Sequence, residues 1–182
     1  MNGYTPIMNS ISGKMINVVE IRIKYLGSSD ITGLNGKVKI IGTTNYQGGK
    51  INGNLTIEDT LKSTSYVTYT VNGTITNNGT IIGNMSIKVN GDIINNGVWK
   101  PYYTYLEGSS PQTITLTTGK VFDCNFFSYN TTKVTANSDL VINGFMNIQS
   151  GLLDMNGYTP IMNSISGKMI NVVEMRIKDL IS

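Results

Sequence analysis

The chain has 182 residues, enough for one domain with a substantial core. Hydrophobic residues make up 40% of it and charged residues only 14%, which argues against a strongly disordered chain. The net charge of +3 is spread over single lysines without a basic run, so no nucleic-acid partner is expected.

The first element in chain order is a stretch that the chain contains twice. Residues 1–24 return at 155–178, an offset of 154 residues, and the only difference is Ile21 against Met175. A near-verbatim copy of this length indicates duplicated sequence, and self-similarity at a fixed period is typical of repeat architectures. The chain is therefore interpreted as a window of a longer tandem array, and an export signal would lie outside that window.

A second, shorter rhythm follows the first copy. Residues 19–24 alternate apolar and charged side chains, which predicts a half-buried strand. Asn-Gly pairs then recur, with first gaps of 17, 20 and 18 residues. Because Asn and Gly tolerate positive φ, these pairs predict sharp corners. The pairs are Asn35-Gly36, Asn52-Gly53, Asn72-Gly73, Asn90-Gly91 and Asn143-Gly144.

The clearest tandem pair aligns residues 71–81 with residues 89–99, a period of 18. Short strands between corners on this period predict the rungs of a β-solenoid, stacked at about 4.8 Å. The 154-residue period would hold between eight and nine rungs and advance about 40 Å. The pairs Asn77-Asn78 and Asn95-Asn96 stand at equivalent places, so ladders of side-chain hydrogen bonds are expected there.

The middle of the chain is less regular. Residues 99–105 are too aromatic and too interrupted by proline for a plain rung, which predicts a lateral loop or an irregular corner. Alternation resumes at 112–117, where Ile114 and Leu116 are expected to point inward. Two further strands are expected at 121–127 and 139–144.

Two all-β architectures compete. A sandwich would also show short strands with turn signals. A parallel β-helix additionally explains the spacing of about 18 residues, the matched corners and the paired asparagines. The predicted fold is therefore a parallel β-helix, or β-solenoid, coiled to the right. Residues 1–154 would form one full period of a continuous solenoid, and residues 155–182 the start of the next repeat.

Residues 71–99 resemble the rungs of large bacterial surface proteins with parallel β-helix stalks. Residues 109–127 and 134–158 resemble the repetitive regions of exported Bacteroidetes-type surface proteins, and the resemblance covers roughly residues 66–166. Its matching positions are Gln112-Thr113-Ile114, Phe122, Asn125, Leu140, Ile142, Gly144, Ile148, Gly151, Leu153 and Asn156-Gly157-Tyr158. The resemblance implies export, a stalk or filament role, and adhesion by a distal domain.

Residues that could support catalysis are few. The chain has no histidine, which removes the commonest general base and zinc ligand. Cys124 lacks an activating partner and is expected to be a buried, inert thiol. The adjacent acids Glu58-Asp59 would point to opposite faces of a strand, so a solvated turn is the favoured interpretation.

The residues 22–24 and 176–178 resemble the Arg-Ile-Lys motif of polygalacturonases, but that family also needs a Gly-His-Gly segment, which this chain lacks. A solvated strand face, with Glu20 and Glu174 beside the arginines, is favoured instead. No enzymatic activity, cofactor or metal site is therefore predicted.

The aromatic residues Trp99, Tyr102, Tyr103 and Tyr105 form a candidate binding cluster. Aromatic faces with polar tips suit sugar rings, whereas packing or contact with a neighbouring protomer is the favoured alternative. The predicted function is that of a structural repeat in an extracellular filament or adhesin stalk, acting as a stiff spacer at the cell surface. The alternative is a carbohydrate-binding surface module.

The expected partners are neighbouring repeats of the same chain or identical subunits docking end to end, with surface glycans as a further candidate. Exposed end strands are open templates for pairing, which is the basis of this expectation. No stretch approaches the roughly 18 apolar residues of a membrane helix, so no membrane insertion is expected of this segment.

Overall fold

A computed structural model describes residues 7–8, 20–24, 37–42, 44–45, 48–172 and 174–177. These residues form strands and no helix. The strands are β1 (Ile7–Met8), β2 (Glu20–Ile23), β3 (Lys37–Ile40), β4 (Thr44–Asn45), β5 (Gly49–Ile51), β6 (Leu55–Ile57), β7 (Thr60–Val71), β8 (Ile75–Asn77), β9 (Thr80–Val89), β10 (Ile93–Asn95), β11 (Val98–Leu106), β12 (Gln112–Leu116), β13 (Asn125–Ser128), β14 (Lys133–Ala136), β15 (Leu140–Ile148), β16 (Leu152–Asp154), β17 (Pro160–Ser166), β18 (Met169–Ile170) and β19 (Arg176–Ile177).

The strands form two parallel sheets, and successive turns of the chain contribute strands to both of them. One sheet has ten strands in the order β1-β2-β3-β6-β8-β10-β12-β14-β16-β18. The other has nine, in the order β19-β17-β15-β13-β11-β9-β7-β4, with β5 also paired to β7. Because neighbouring strands are one turn apart in the chain, the molecule is a β-solenoid of about seven turns with rungs of about 19 residues. The predicted fold class is confirmed.

Irregularities divide the long strands of the nine-stranded sheet into a first and a second segment. The pairing register shifts between Ser63 and Val67 in β7, and between Pro101 and Tyr103 in β11. A turn of the solenoid therefore contains three runs of strand: one in the ten-stranded sheet, then the first and second segments. The bend between the two segments recurs from turn to turn.

The core consists of columns of inward side chains, one from each turn. In the ten-stranded sheet Ile75, Ile93 and Ile114 occupy one register position and are fully buried. Ile114 and Leu116 both point inward, as predicted. Burial of an aliphatic side chain of this size contributes about 1.5–3 kcal/mol, so the columns provide the main stabilisation along the axis.

Asparagine side chains form ladders between turns, as the sequence predicts. Asn77 Nδ2 donates to Asn95 Oδ1 at 2.8 Å in the interior, and Asn96 Nδ2 donates to Asn78 Oδ1 at 2.8 Å outside. A third ladder at the Asn-Gly corners joins Asn90 to Asn72 and Asn72 to Asn52, both at 2.9 Å. These amides fix the register of one turn on the next.

Replacing Asn95 alone with leucine is expected to destabilise the protein by about 1–3 kcal/mol, because Asn77 Nδ2 and the Gly97 N–H both lose their bond to Asn95 Oδ1. Replacing both Asn77 and Asn95 with leucine should lower the free energy of unfolding by less than the sum of the two single changes. Ile57 and Leu116 occupy the positions before and after them in the same column, so two leucines would continue an apolar column and leave no side-chain amide unpaired. Urea unfolding of the four variants of this cycle measures the difference. Strict additivity would contradict the ladder.

Residues 98–106 are a strand, so the prediction of a lateral loop at 99–105 is wrong. Alternate residues of β11 point inward, and the strand pairs with β9 on one side and β13 on the other. Pro101 is tolerated because it stands where the register of the pairing with β9 is interrupted. Asn143-Gly144 likewise lies inside a strand, β15, at the bend between its segments, and is not a corner between strands.

The duplicated stretch is paired in the same register in both copies but in different sheets. Ile7 pairs with Arg22 in the ten-stranded sheet, and the equivalent Ile161 pairs with Arg176 in the nine-stranded sheet. Much of the first copy lies outside the described residues. At the one differing position, Ile21 is fully buried whereas Met175 is 42% exposed.

Candidate binding surface

Trp99 lies in the interior and does not join the tyrosines. It pairs with Ile81 of the preceding turn and contacts Phe122 of the following turn edge to face, with ring centroids 5.5 Å apart. Its Nε1 donates to Thr104 Oγ1 at 2.9 Å. Since the indole is 0% exposed, it is a core residue and is not accessible to a ligand.

The three predicted tyrosines lie together on the outer face of the nine-stranded sheet. Tyr102 and Tyr103 meet edge to face with ring centroids 4.4 Å apart, and Tyr103 and Tyr105 are 5.8 Å apart. The hydrogen bond with Tyr102 raises the pKa of Tyr103, with burial adding to the effect. Burial also raises the pKa of Tyr105. Both phenols are therefore neutral at physiological pH.

Further rings extend the tyrosines into a cluster along the axis. Tyr105, Phe127 and Tyr129 lie nearly parallel, with interplanar angles of 20° and 13° between successive rings. Their ring centroids are 5.2 Å apart for Tyr105 and Phe127 and 6.5 Å apart for Phe127 and Tyr129. Tyr66 and Tyr102 instead meet at 88°, and they are 77% and 46% exposed. Tyr66, Tyr102 and Tyr129, the last 43% exposed, are the most accessible rings of the cluster.

A groove runs beside Tyr102 at the bend between the two segments. It has a volume of about 370 Å³ and is lined by residues of consecutive turns. We call it the bend groove, and its polar and aromatic lining consists of Asn84, Lys100, Tyr102, Asp123, Asn125 and Asn143. Lys100 Nζ and Asp123 Oδ2, both in its lining, form an ion pair at 2.7 Å. The groove thus combines amide side chains and one neutralised charge pair with apolar residues such as Ile82 and Pro101.

Sequence reasoning missed the amides of the bend groove. The available signal was the glycine inside a strand, which marks a bulge or a close approach of backbones. At Gly83, with φ of +119°, a Cβ would overlap the carbonyl oxygen of Ser63 in the preceding turn. A Cβ at Gly144 would overlap the Asn125 amide oxygen and the Cys124 carbonyl oxygen.

Cys124 is buried beneath the groove, next to Thr104. Its Sγ lies 3.3 Å from Thr104 Oγ1. Burial raises the pKa of the Cys124 thiol to about 12, so the group is protonated at physiological pH and a poor nucleophile. The prediction that Cys124 is buried is confirmed.

Ion pairs connect neighbouring turns on the outer surface. Lys39 contacts Glu58 at 2.9 Å, and the hydrogen bond from Lys39 holds the pKa of Glu58 below its usual range. The bonds from Asn171 and from the backbone N–H of Asn156 lower the pKa of Asp154 in the same way. Glu58 and Asp59 are exposed in a turn, as predicted.

Stability is expected to fall as the solution is acidified. Because the folded pKa values of Glu58 and Asp154 lie below their unfolded values of about 4, both groups stabilise the protein above that pH. This contribution is lost as the pH falls through the lowered folded values. Urea midpoints measured from neutral to acid pH should decline less steeply in Asp154→Asn than in the wild type. Identical slopes would contradict the assignment.

Among the residues that the structure describes, no group of three or more His, Cys, Asp and Glu side chains could hold a metal ion. None of the described segments is a helix long and apolar enough to cross a membrane. No protein-family model matches the chain, and no curated protein or solved structure shows significant similarity to it. The resemblance to bacterial surface proteins is thus supported at the level of the β-solenoid, and no relative connects the chain to them.

Proposed function

We propose that the chain is a structural repeat of an extracellular filament or adhesin stalk and acts as a stiff spacer. The observation that carries this proposal is the unbroken parallel pairing, in which every strand from β2 to β16 of the ten-stranded sheet is bonded to the turns before and after it. Such a stack advances by a constant increment per turn and has no hinge within it.

Side-chain contacts also connect neighbouring turns along the solenoid axis. The ladders of Asn72, Asn90, Asn77 and Asn95 and the ion pair between Lys88 and Glu107 all join one turn to the next. Bending such a rod would break several of these bonds at once on its outer side. The fold therefore favours a load-bearing spacer over a unit that changes shape.

Length measurement tests the spacer proposal. Chains carrying one, two and three copies of the 154-residue period would be compared by small-angle scattering and electron microscopy. Each added period is expected to lengthen a straight rod by about 40 Å. Bead-like particles at variable angles would contradict a continuous stiff spacer.

Surface location needs an independent measurement. Antibody labelling of intact source cells should detect the protein without permeabilisation, and protease added outside the cells should remove the signal. Labelling that requires permeabilised cells would overturn the extracellular part of the proposal while leaving the rod unaffected.

Carbohydrate binding is a second candidate function, and the exposed ring faces at Tyr66 and Tyr102 favour it. A glycan array probed with the wild-type chain tests it, with Tyr103→Ala as the comparison variant. Absence of binding to any glycan would count against this second function without affecting the spacer.

A further inference from the structure

The bend groove has the chemistry of a site for an uncharged, hydroxyl-rich ligand. Asn125 Oδ1 accepts the backbone N–H of Phe145 at 3.2 Å, and its Nδ2 bonds to no acceptor among the residues that the structure describes. Asn84 has the opposite arrangement: its Nδ2 donates to the Thr64 carbonyl at 3.3 Å, which leaves Oδ1 as an acceptor. The groove thus offers both a donor and an acceptor to a ligand hydroxyl.

The charges in the groove indicate a neutral ligand. Lys100 and Asp123 neutralise each other at 2.7 Å, and their side chains remain 55% and 39% exposed. An anionic ligand would have to displace Asp123 from Lys100, and a cationic ligand would have to displace Lys100 from Asp123. A neutral ligand can accept from the ammonium and donate to the carboxylate without breaking the pair.

The aromatic rim suits the apolar face of a sugar ring. Tyr102 lines the groove and is 46% exposed, and the ring of Tyr66, 77% exposed, lies perpendicular to it with centroids 5.8 Å apart. A ring that presents an apolar face and a polar hydroxyl matches a sugar, which has an apolar C–H face and polar edges. Of the rings of Tyr105, Phe127 and Tyr129, only Tyr129 is comparably exposed, at 43%, and it does not line the groove.

The direction of the groove favours a chain over a single sugar. Its lining comes from four successive turns, represented by Asn84, Lys100, Asp123 and Asn143. With about 4.8 Å between turns, it extends about 14 Å along the axis. A peptide would require a free strand edge or a deep apolar pocket for an anchor side chain, whereas strands β9, β11, β13 and β15 around the groove are paired on both sides.

We propose that the bend groove binds a segment of a neutral polysaccharide laid along the solenoid axis. This proposal rests on the second candidate function, carbohydrate binding, and adds the place, the charge class and the orientation of the ligand. Tyr102 stacks on a sugar ring, Asn84 and Asn125 bond its hydroxyl groups, and the Lys100–Asp123 pair bonds those of a neighbouring sugar.

Titration calorimetry of the full chain with cello-, xylo-, manno- and chitohexaose tests this site, with polygalacturonate as the charged comparison. At least one neutral hexasaccharide is expected to bind, with an affinity that is insensitive to salt. Tyr102→Ala should weaken that binding about tenfold, and Asn125→Leu should weaken it in the same direction. The matched control is Tyr129→Ala, which removes a tyrosine of similar exposure outside the groove and should leave the affinity unchanged.

Each outcome has a distinct meaning. Binding that survives Tyr102→Ala and Asn125→Leu but is lost in Tyr129→Ala would overturn the groove and retain carbohydrate binding elsewhere on the surface. Binding of polygalacturonate alone would overturn the neutral class, and absence of binding to all of the probes would overturn the proposal. Association of the chain with itself, lost in Tyr102→Ala and seen by sedimentation without any sugar, would assign the groove to a second copy instead.

Discussion

Replacing Gly97 with alanine is expected to destabilise the protein by about 3 kcal/mol or more, which corresponds to a melting temperature lower by roughly 10 °C. A Cβ at this position would overlap the carbonyl oxygen of Gly79 in the preceding turn, and Gly79 stands in the same relation to the Asp59 carbonyl. The added Cβ would clash with backbone that holds the two turns together, because the same Gly79 carbonyl oxygen accepts a hydrogen bond from the Val98 N–H at 2.8 Å. Relief would require the two turns to separate.

Gly119→Asn is the control for this clash. Gly119 has φ of +78° and no atom within 4 Å of an added Cβ, and asparagine tolerates this region of backbone conformation. This substitution should lower the free energy of unfolding by no more than about 1 kcal/mol. Equal losses at Gly97 and Gly119, measured by thermal unfolding followed with circular dichroism, would show that close stacking of the turns is not what requires glycine.

Trp99→Ala is expected to lower the free energy of unfolding by about 3–5 kcal/mol. The change empties a fully buried site and removes both the contact with Phe122 and the bond to Thr104. Trp99→Phe should recover part of the loss, because it keeps an aromatic ring against Phe122 but cannot donate to Thr104. Urea unfolding followed by circular dichroism measures all three proteins.

The comparison variant for Trp99 is Tyr66→Ala, on the same sheet but 77% exposed, which should change the free energy of unfolding by less than about 1 kcal/mol. Because Trp99 is the only tryptophan, its fluorescence gives a second readout: native emission should be blue-shifted and shielded from quenchers. A Trp99→Ala variant as stable as the wild type would place the indole at the surface.

The sequence was sufficient to predict the solenoid because the same side chains recur where turns must touch. Asn72 and Asn90, and Asn77 and Asn95, are 18 residues apart, and each pair forms the predicted inter-turn bond. Rung length was harder to predict, since other bonded pairs are 20 or 21 residues apart. Corners of different lengths absorb this variation without disturbing the stack.

The inward position of Trp99 was predictable and was missed. Aligning residues 71–81 with 89–99 places Trp99 at the position of Ile81, and Ile81 belongs to an apolar column. The four aromatic residues were grouped because they are close in the sequence. Alternation along a strand instead places Trp99 and Tyr102 on opposite faces, Trp99 inward and Tyr102 outward. The place of the bend was signalled by glycines inside strands, Gly83 and Gly144, whereas the side chains that line the groove depend on the register shift between Pro101 and Tyr103, which those glycines do not specify.

The change of sheet between the two copies of the duplicated segment determines how a longer array would present its grooves. Arg22 lies in the ten-stranded sheet, and Arg176, one period later, lies in the first segment of the nine-stranded sheet. With three strand runs per turn, each added period would rotate identical surfaces by about a third of a turn around the axis. Three successive periods would place their grooves at three positions about a third of a turn apart, so a longer chain would present grooves on all sides of the rod.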